Sequence, residues 1–327
     1  MAQISVVNIF SLSKAALLKF GALDWIADAV ADAIAKSESV GNRICGLYYL
    51  ESYCMQLQSG RVKGNVKPIV SKEKSGIVTV DAKFGFAQPA FNRGLGSACK
   101  AAFENVICSL VIVHAHSCTY LGYFSEKIAH QNLIGIGFTN ASPIVAPPGG
   151  KSRIIGTNPI AFSVPDGAGN IAIHFDQSTT AVALGKITMA KAAGEKIPLG
   201  WALDKSGNAT TDPEAALEGS LVSSGGYKGW GFGLMAEVLA AGLAGGLASQ
   251  FVQPLKATNG EPHNLGQYYI VIDPNNSNSF EVFLKDLKAS VSKDVGTRLP
   301  GQGKVAAKNV EVPDDLLALL EKLSGYR

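Results

Sequence analysis

The stretch 145–165, reading VAPPGGKSRIIGTNPIAFSVP, sets the tightest limits on how this chain folds. Gly149, Gly150 and Gly156 open backbone angles closed to other residues, while Pro147, Pro148, Pro159 and Pro165 fix φ. The resulting loop is contorted and rigid, which suits holding a ligand. Lys151 and Arg153 place positive charge beside the amides such turns expose, a setting for an anionic group; an ordinary surface turn is the plainer reading. The apolar run 160–164 leaves this loop as a buried strand.

Strand and helix signals alternate on both sides of this hub. Apolar residues recur at helical spacing over 13–35, with Asp24, Asp28 and Asp32 on another face, and predict one amphipathic helix. A tyrosine-rich helix over 44–58, closed by Ser59 and Gly60, is expected next. Strands are expected over 67–70, 77–81, 106–114, 134–139, 170–175 and 268–272, and helices over 89–103, 124–131, 182–193, 234–247, 280–291 and 314–323. The pattern predicts an α/β fold with a mixed sheet. At 327 residues the chain suits one large or two medium domains.

Composition removes several function classes. With 47% apolar and 17% charged residues the chain is globular. A net charge of +3, without a basic stripe, argues against nucleic-acid and acidic-membrane partners. Cys45, Cys54, Cys99, Cys108 and Cys118 are odd in number and widely spaced, which speaks against a disulfide framework or a structural zinc site. No metal centre is expected: His114 and His116 lack a clustered third ligand. Charges interrupt the N-terminal region, so no targeting segment is read there and a cytoplasmic location is expected.

Neither a Gly-x-Gly-x-x-Gly unit of Rossmann type, nor a P-loop, nor a Gly-x-Ser-x-Gly elbow occurs. The segment GGYKGWGFG at 225–233 is a second glycine-rich element and could present amides and a lysine to a phosphate at a helix start.

Several segments together resemble the NAD(P)H-dependent malate/L-lactate dehydrogenase family, which includes sulfolactate, ureidoglycolate and diketogulonate enzymes and the Δ1-piperideine-2-carboxylate/Δ1-pyrroline-2-carboxylate reductases. They are LGYF at 121–124, LIGIGFTN at 133–140, GTNPIA at 156–161, the run from Asp176 through GKI at 185–187, TTDP at 210–213, GGYKG at 225–229 and RLPG at 298–301. Their order and spacing over roughly residues 105–303 match the family.

The resemblance implies a homodimer with a non-Rossmann, mixed-sheet cofactor domain (71–280) and a second domain for substrate, built from the chain ends (1–70 and 281–327). It implies NADPH or NADH as cofactor, with Lys151, Arg153 and Arg298 leaning the choice toward NADPH. In matching positions Ser117, Cys118, Thr119, Tyr120, Leu121, Asp176, Gln177, Ser178, Tyr227, Lys228, Arg298, Pro300 and Gly301 would touch the cofactor, and Thr157 the substrate. Helix capping and a solvated face are the plainer readings of Asp176 and Lys228.

Departures from the family carry the functional inference. Many relatives have a Ser-His pair followed four residues later by an arginine; the histidine donates a proton and the arginine grips the substrate carboxylate. Those places hold Ile44, Cys45 and Tyr49 here, and a later frequent histidine is Ser117, with His116 one residue early. Reducing a ketone creates an alkoxide that needs a proton donor. A cyclic imine can arrive already protonated and accept hydride directly. The sequence therefore points to reduction of a cyclic imino acid such as Δ1-pyrroline-2-carboxylate, giving L-proline, or Δ1-piperideine-2-carboxylate, giving L-pipecolate. A 2-oxo acid reductase using Cys45 or His116 as catalytic donor, and a cofactor-binding protein without catalysis, are the alternatives. Cys45 is otherwise a small buried apolar residue. Tyr49 and Tyr53 are candidates to orient substrate, and Arg43 to replace the carboxylate clamp.

Overall fold

The most apolar strands of the chain lie side by side at the centre of one sheet, because each is buried on both faces. In the computed structural model, which describes residues 1–277 and 279–326, β2 (Ile69–Lys74), β3 (Ile77–Asp81), β4 (Ile107–Ala115), β5 (Ile134–Thr139), β6 (Ile160–Pro165), β7 (Ile171–Gln177) and β11 (Leu265–Ile272) form a seven-stranded sheet in the order β2-β3-β4-β11-β5-β6-β7. Only β3 and β4 run parallel, joined by the crossover helix α4 (Ala87–Asn105); every other neighbouring pair is antiparallel. The sheet is mixed, and its strand order is not that of a doubly wound nucleotide fold. Leu110 and Ile112 of β4 and Tyr269 and Val271 of β11 are fully buried, with Phe91 of α4 and Phe124 of α5 (Gly122–Ala129) packed edge to face against Tyr269 or each other.

A separate apolar cluster draws on both ends of the chain. α1 (Val6–Lys19), α2 (Asp24–Ser39), α3 (Leu50–Ser59) and α10 (Asp314–Ser324) pack through Ile9, Leu17, Ile34, Leu50 and Leu320. β1 (Ala2–Ser5) pairs antiparallel with β12 (Asn309–Val312) and fastens the two ends. A third, smaller cluster surrounds the short strands β8 (Ala202–Leu203), β9 (Ala209–Thr210) and β10 (Ser220–Leu221), with α6 (Leu184–Ala193) and α7 (Pro213–Glu218) beside them.

Helix boundaries depart from the periodicity in three places, each for a local reason. The single helix expected over 13–35 is two, α1 and α2, because the chain turns at Gly21, whose φ of +101° a side chain would resist. The helix expected over 44–58 begins as two single 3-10 turns, Arg43–Cys45 and Leu47–Tyr49, before α3. The interruption comes from the buried Glu38 carboxylate, which accepts a hydrogen bond from the Leu47 amide at 2.8 Å and occupies the space beside Gly46. The second glycine-rich segment is mostly helix: α8 (Tyr227–Glu237) starts directly after Gly226 and continues as a π-helical turn, Val238–Leu243. Periodicity missed β1 and β12, since four residues carry too little pattern.

Candidate functional site

Segments far apart in sequence converge at one end of the sheet, around the last residues of β7. The hub loop is pinned at Gly156, where a Cβ would stand 2.5 Å from the Ala141 carbonyl oxygen. Its Thr157 carbonyl accepts hydrogen bonds from the Thr179 amide (2.9 Å) and hydroxyl (3.0 Å), and the Thr179 carbonyl in turn accepts from the Ser224 amide at 2.9 Å. Hub, β7 end and second glycine turn are thereby knitted into one surface. On the other side of β7 the 298–301 turn docks: the His174 amide donates to the Pro300 carbonyl at 2.9 Å, and Gly301 lies flat on His174. Ile44 rests against Gly185 at the start of α6.

Asp176 sits at the focus of these segments. Its carboxylate caps α5, accepting hydrogen bonds from the backbone amides of Gly122 (2.8 Å) and Leu121. Burial nevertheless outweighs those bonds, and with help from the Glu126 charge it holds the carboxyl up at about 6. Cys45, from the first 3-10 turn, is close enough for the Asp176 charge to act on its thiol. Burial first and that charge second push the thiol up to about 12, so it stays protonated throughout the physiological range. Tyr49 stacks on Tyr53 with ring centroids 5.9 Å apart, and burial raises the pKa of both phenols.

The expected cofactor segment 117–121 is folded inward: Ser117, Cys118, Tyr120 and Leu121 are buried and only Thr119, at a φ of +56°, is half open. Gln177, Tyr227, Lys228, Arg298 and Pro300 are exposed, whereas Ser178 is half-buried and hydrogen-bonded to Thr180 at 2.9 Å. The N-terminus of α8 has no side-chain cap; its Lys228 and Gly229 amides donate to the Gly225 and Ser224 carbonyls of the glycine turn, and the Lys228 side chain is exposed beside them. The exposed ammonium of Lys228 is the group there suited to a phosphate. Arg153, in contrast, is already engaged: its guanidinium donates to the carbonyls of Gly219 and Leu217 at the end of α7.

His116 occupies a dry, aromatic niche behind the site. It is 2% exposed, bonds Gln56 Oε1 through Nε2 at 2.8 Å, and stacks on His263 at 4.0 Å with Tyr53 and Phe86 at its edges. Burial drives its pKa well below the usual histidine value and that of His263 down to about 3, so both rings are neutral. His114 points elsewhere, to Asp81 at 3.0 Å, and the two histidines share no ligand position. Among the described residues no three metal-ligating side chains cluster.

A polar network that sequence reasoning missed runs behind Asp176. Ser125 donates to the Gly122 carbonyl and Ser163 to Ser125, which leaves the Ser163 oxygen to accept from His174 Nδ1 at 2.9 Å. The other ring nitrogen of His174 therefore meets Tyr120 Oη at 3.1 Å and Glu126 at 3.2 Å, and Lys36 Nζ closes the set on Glu126 at 2.6 Å. The available signal was a serine and a histidine inside two apolar runs, at positions that turn out to be cross-strand partners.

Fold and site together define an α/β protein that assembles a buried carboxylic acid, a protonated thiol and two glycine-bearing turns at one end of a mixed sheet. The profile of the malate/L-lactate dehydrogenase family matches residues 4–310. A (2R)-3-sulfolactate dehydrogenase (NADP(+)) of Chromohalobacter salexigens is 36% identical, the match covering 99% of this chain and 98% of that protein. A Δ1-pyrroline-2-carboxylate reductase of Ancylobacter novellus is 33% identical over 98% of this chain and 97% of its own. Among solved structures, a Δ1-piperideine-2-carboxylate reductase from Pseudomonas syringae pv. tomato superimposes with a TM-score of 0.88 at 30% identity, covering 99% of this chain and all of that one. The chain belongs to the malate/L-lactate dehydrogenase family, and it is an NAD(P)H-dependent oxidoreductase. No described helix is long and apolar enough to cross a membrane.

Proposed function

We propose that the chain reduces a cyclic imino acid, Δ1-pyrroline-2-carboxylate to L-proline or Δ1-piperideine-2-carboxylate to L-pipecolate, with NADPH as the reductant. The observation that carries this reading is the pairing of Cys45 with Asp176. A thiol at about 12 replaces the histidine of many relatives, and thus offers a poor proton donor to a ketone. A carboxyl at about 6 is about nine-tenths ionised at pH 7, and its negative charge favours a substrate that arrives as a cation.

When bound, a reduced nicotinamide supplies a hydride; everything else is done by this chain. Lys228 at the start of α8 would hold a phosphate of the cofactor, and Arg298 of the 298–301 turn would add charge. Thr157 and the hub amides orient the substrate carboxylate. Ionised Asp176 keeps the imine nitrogen protonated until the carbon is reduced, and the product leaves as an amine with no alkoxide formed. Tyr49, Tyr53 and Cys45 wall the reacting atoms from water, and His116 positions Tyr53 from behind. Such an arrangement works chiefly by orientation. The sheet domain would carry the cofactor and the helical cluster of the chain ends the substrate side.

Purified protein is expected to oxidise NADPH with Δ1-pyrroline-2-carboxylate or its piperideine homologue, and slowly or not at all with pyruvate, oxaloacetate, diketogulonate or sulfopyruvate. Cys45→Ala is expected to keep most of the imine turnover. Oxidation confined to the oxo acids would establish the dehydrogenase reading that the 36% identical sulfolactate enzyme favours. Cofactor binding without turnover on any of them would leave a binding protein.

A homodimer is part of the same proposal. From α8 into the π-helical turn, Phe232, Val238 and Leu243 are each more than half exposed, as is Phe251 just beyond. Large apolar side chains left exposed along one such segment of a globular chain point to an interface. The double variant Phe232→Asp, Val238→Asp is expected to halve the mass measured by light scattering; an unchanged mass would place the interface elsewhere.

A further inference from the structure

A substrate bearing a carboxylate needs a cation, and the place where many relatives carry an arginine holds the neutral Tyr49. Arg43 is nearest in sequence, yet its charge acts on the buried Glu38 carboxylate, which it stabilises. A different cation reaches the spot from the other half of the chain. Lys256 Nζ stands 3.6 Å from the centroid of the Tyr48 ring and 6.0 Å from that of Tyr49. Tyr49 in turn adjoins Cys45, whose charge state bears on its phenol.

The backbone that carries Lys256 is fixed with unusual care. The fully buried Gln56 donates through Nε2 to the carbonyls on both sides of the lysine, Leu255 at 2.9 Å and Ala257 at 2.6 Å. Ser59 donates to the Thr258 carbonyl at 2.6 Å, and the buried Arg61 guanidinium donates to the carbonyls of Ala257, Asn259 and Glu261. Three side chains of one helix end thus hold a loop some two hundred positions away. The lysine side chain itself is exposed and meets no carboxylate among the described residues; its ammonium rests on an aromatic face, from which a carboxylate can draw it.

We propose that Lys256 binds the substrate carboxylate, taking over from a distant loop the charge that Tyr49 lacks. This rests on the substrate being a small carboxylate, as the proposed function has it. The chemistry is a single charge-assisted hydrogen bond from an ammonium to a carboxylate oxygen.

The test separates this residue from the identity of the substrate. Binding of pyrrole-2-carboxylate, a planar carboxylate that cannot be reduced by hydride addition to an iminium, is measured by calorimetry on the enzyme loaded with NADPH. Lys256→Ala is expected to weaken it about ten- to a hundredfold while NADPH affinity stays the same. In turnover the same variant raises KM by that factor and leaves kcat in place. Lys256→Arg retains binding, and Tyr49→Arg added to Lys256→Ala restores it, which a merely structural lysine would not allow. Unchanged pyrrole-2-carboxylate binding in Lys256→Ala overturns the proposal, and so does an equal loss of NADPH, which would assign the lysine to the cofactor. If the enzyme reduces only oxo acids, the imino acid reading fails, and Lys256 is judged by the KM of the same variants for those oxo acids.

Discussion

Replacing Asp176 by asparagine is expected to lower kcat/KM for the cyclic imine at pH 7 by about two to three orders of magnitude, the size of effect seen when a preorganised charge is removed from a reacting centre. Asparagine keeps an oxygen to accept from the Gly122 and Leu121 amides, so the cap of α5 and the melting temperature are expected to hold. The pH dependence gives the sign. With its carboxyl held at about 6, Asp176 gains charge as the pH rises through that value, so kcat/KM of the wild type rises from pH 5 to pH 7 and the asparagine variant lacks that limb. A protonated Asp176 serving as acid toward a ketone gives the reverse, a rate that falls as pH passes 6. Steady-state profiles of both proteins between pH 5 and 8 decide it, and a falling wild-type limb with the imine sinks the electrostatic role assigned to Asp176.

Arg61→Met is the second large effect, and it falls on stability. Arg61 is 1% exposed, its guanidinium meets no carboxylate among the described residues, and it is solvated by three main-chain carbonyls of the 257–261 segment. Methionine fills most of the volume but leaves those carbonyls without their donor. Each lost bond to a charged donor is worth roughly 1.5–3 kcal/mol, offset in part because a buried cation is no longer desolvated. A net loss of about 2–4 kcal/mol in denaturant unfolding is expected, along with faster amide exchange in the loop that carries Lys256. A change below about 0.5 kcal/mol would show that the loop is held by something other than this arginine. Because Lys256 rides on that loop, the variant is also expected to raise KM for the carboxylate substrate more than it lowers kcat.

The strands of the large sheet and most helices were legible because their signals are local. The run 134–139 reads as a strand from its alternation alone and is one, and the helix over 280–291 sits where its apolar spacing puts it. Family membership was legible too, since seven short segments keep their order regardless of what surrounds them. Where the reading of local structure failed, a distant side chain or a short pairing had intervened. Glu38 interrupts the helix at Gly46, and β1 finds its partner only three hundred residues later. Within the site, Cys45 and Asp176 stood out as positions in a pattern, but Lys256 belongs to a stretch without any pattern and Glu126 to a helix whose apolar spacing says nothing of its charge, so nothing in the chain order brings them forward.

The amino-acid order by itself determined which segments become strand or helix, which turns need glycine, and that an expected histidine and arginine are missing. These depend on neighbours within a few positions or on a position-by-position match. Only the folded chain decided the state of each chemical group: that Asp176 titrates near 6, that Cys45 keeps its proton, that His116 and His263 are neutral, and that a lysine two hundred residues away stands beside Tyr49. Protonation and reach depend on burial and on the charges a few ångströms off, and those neighbours come from elements that meet only in three dimensions.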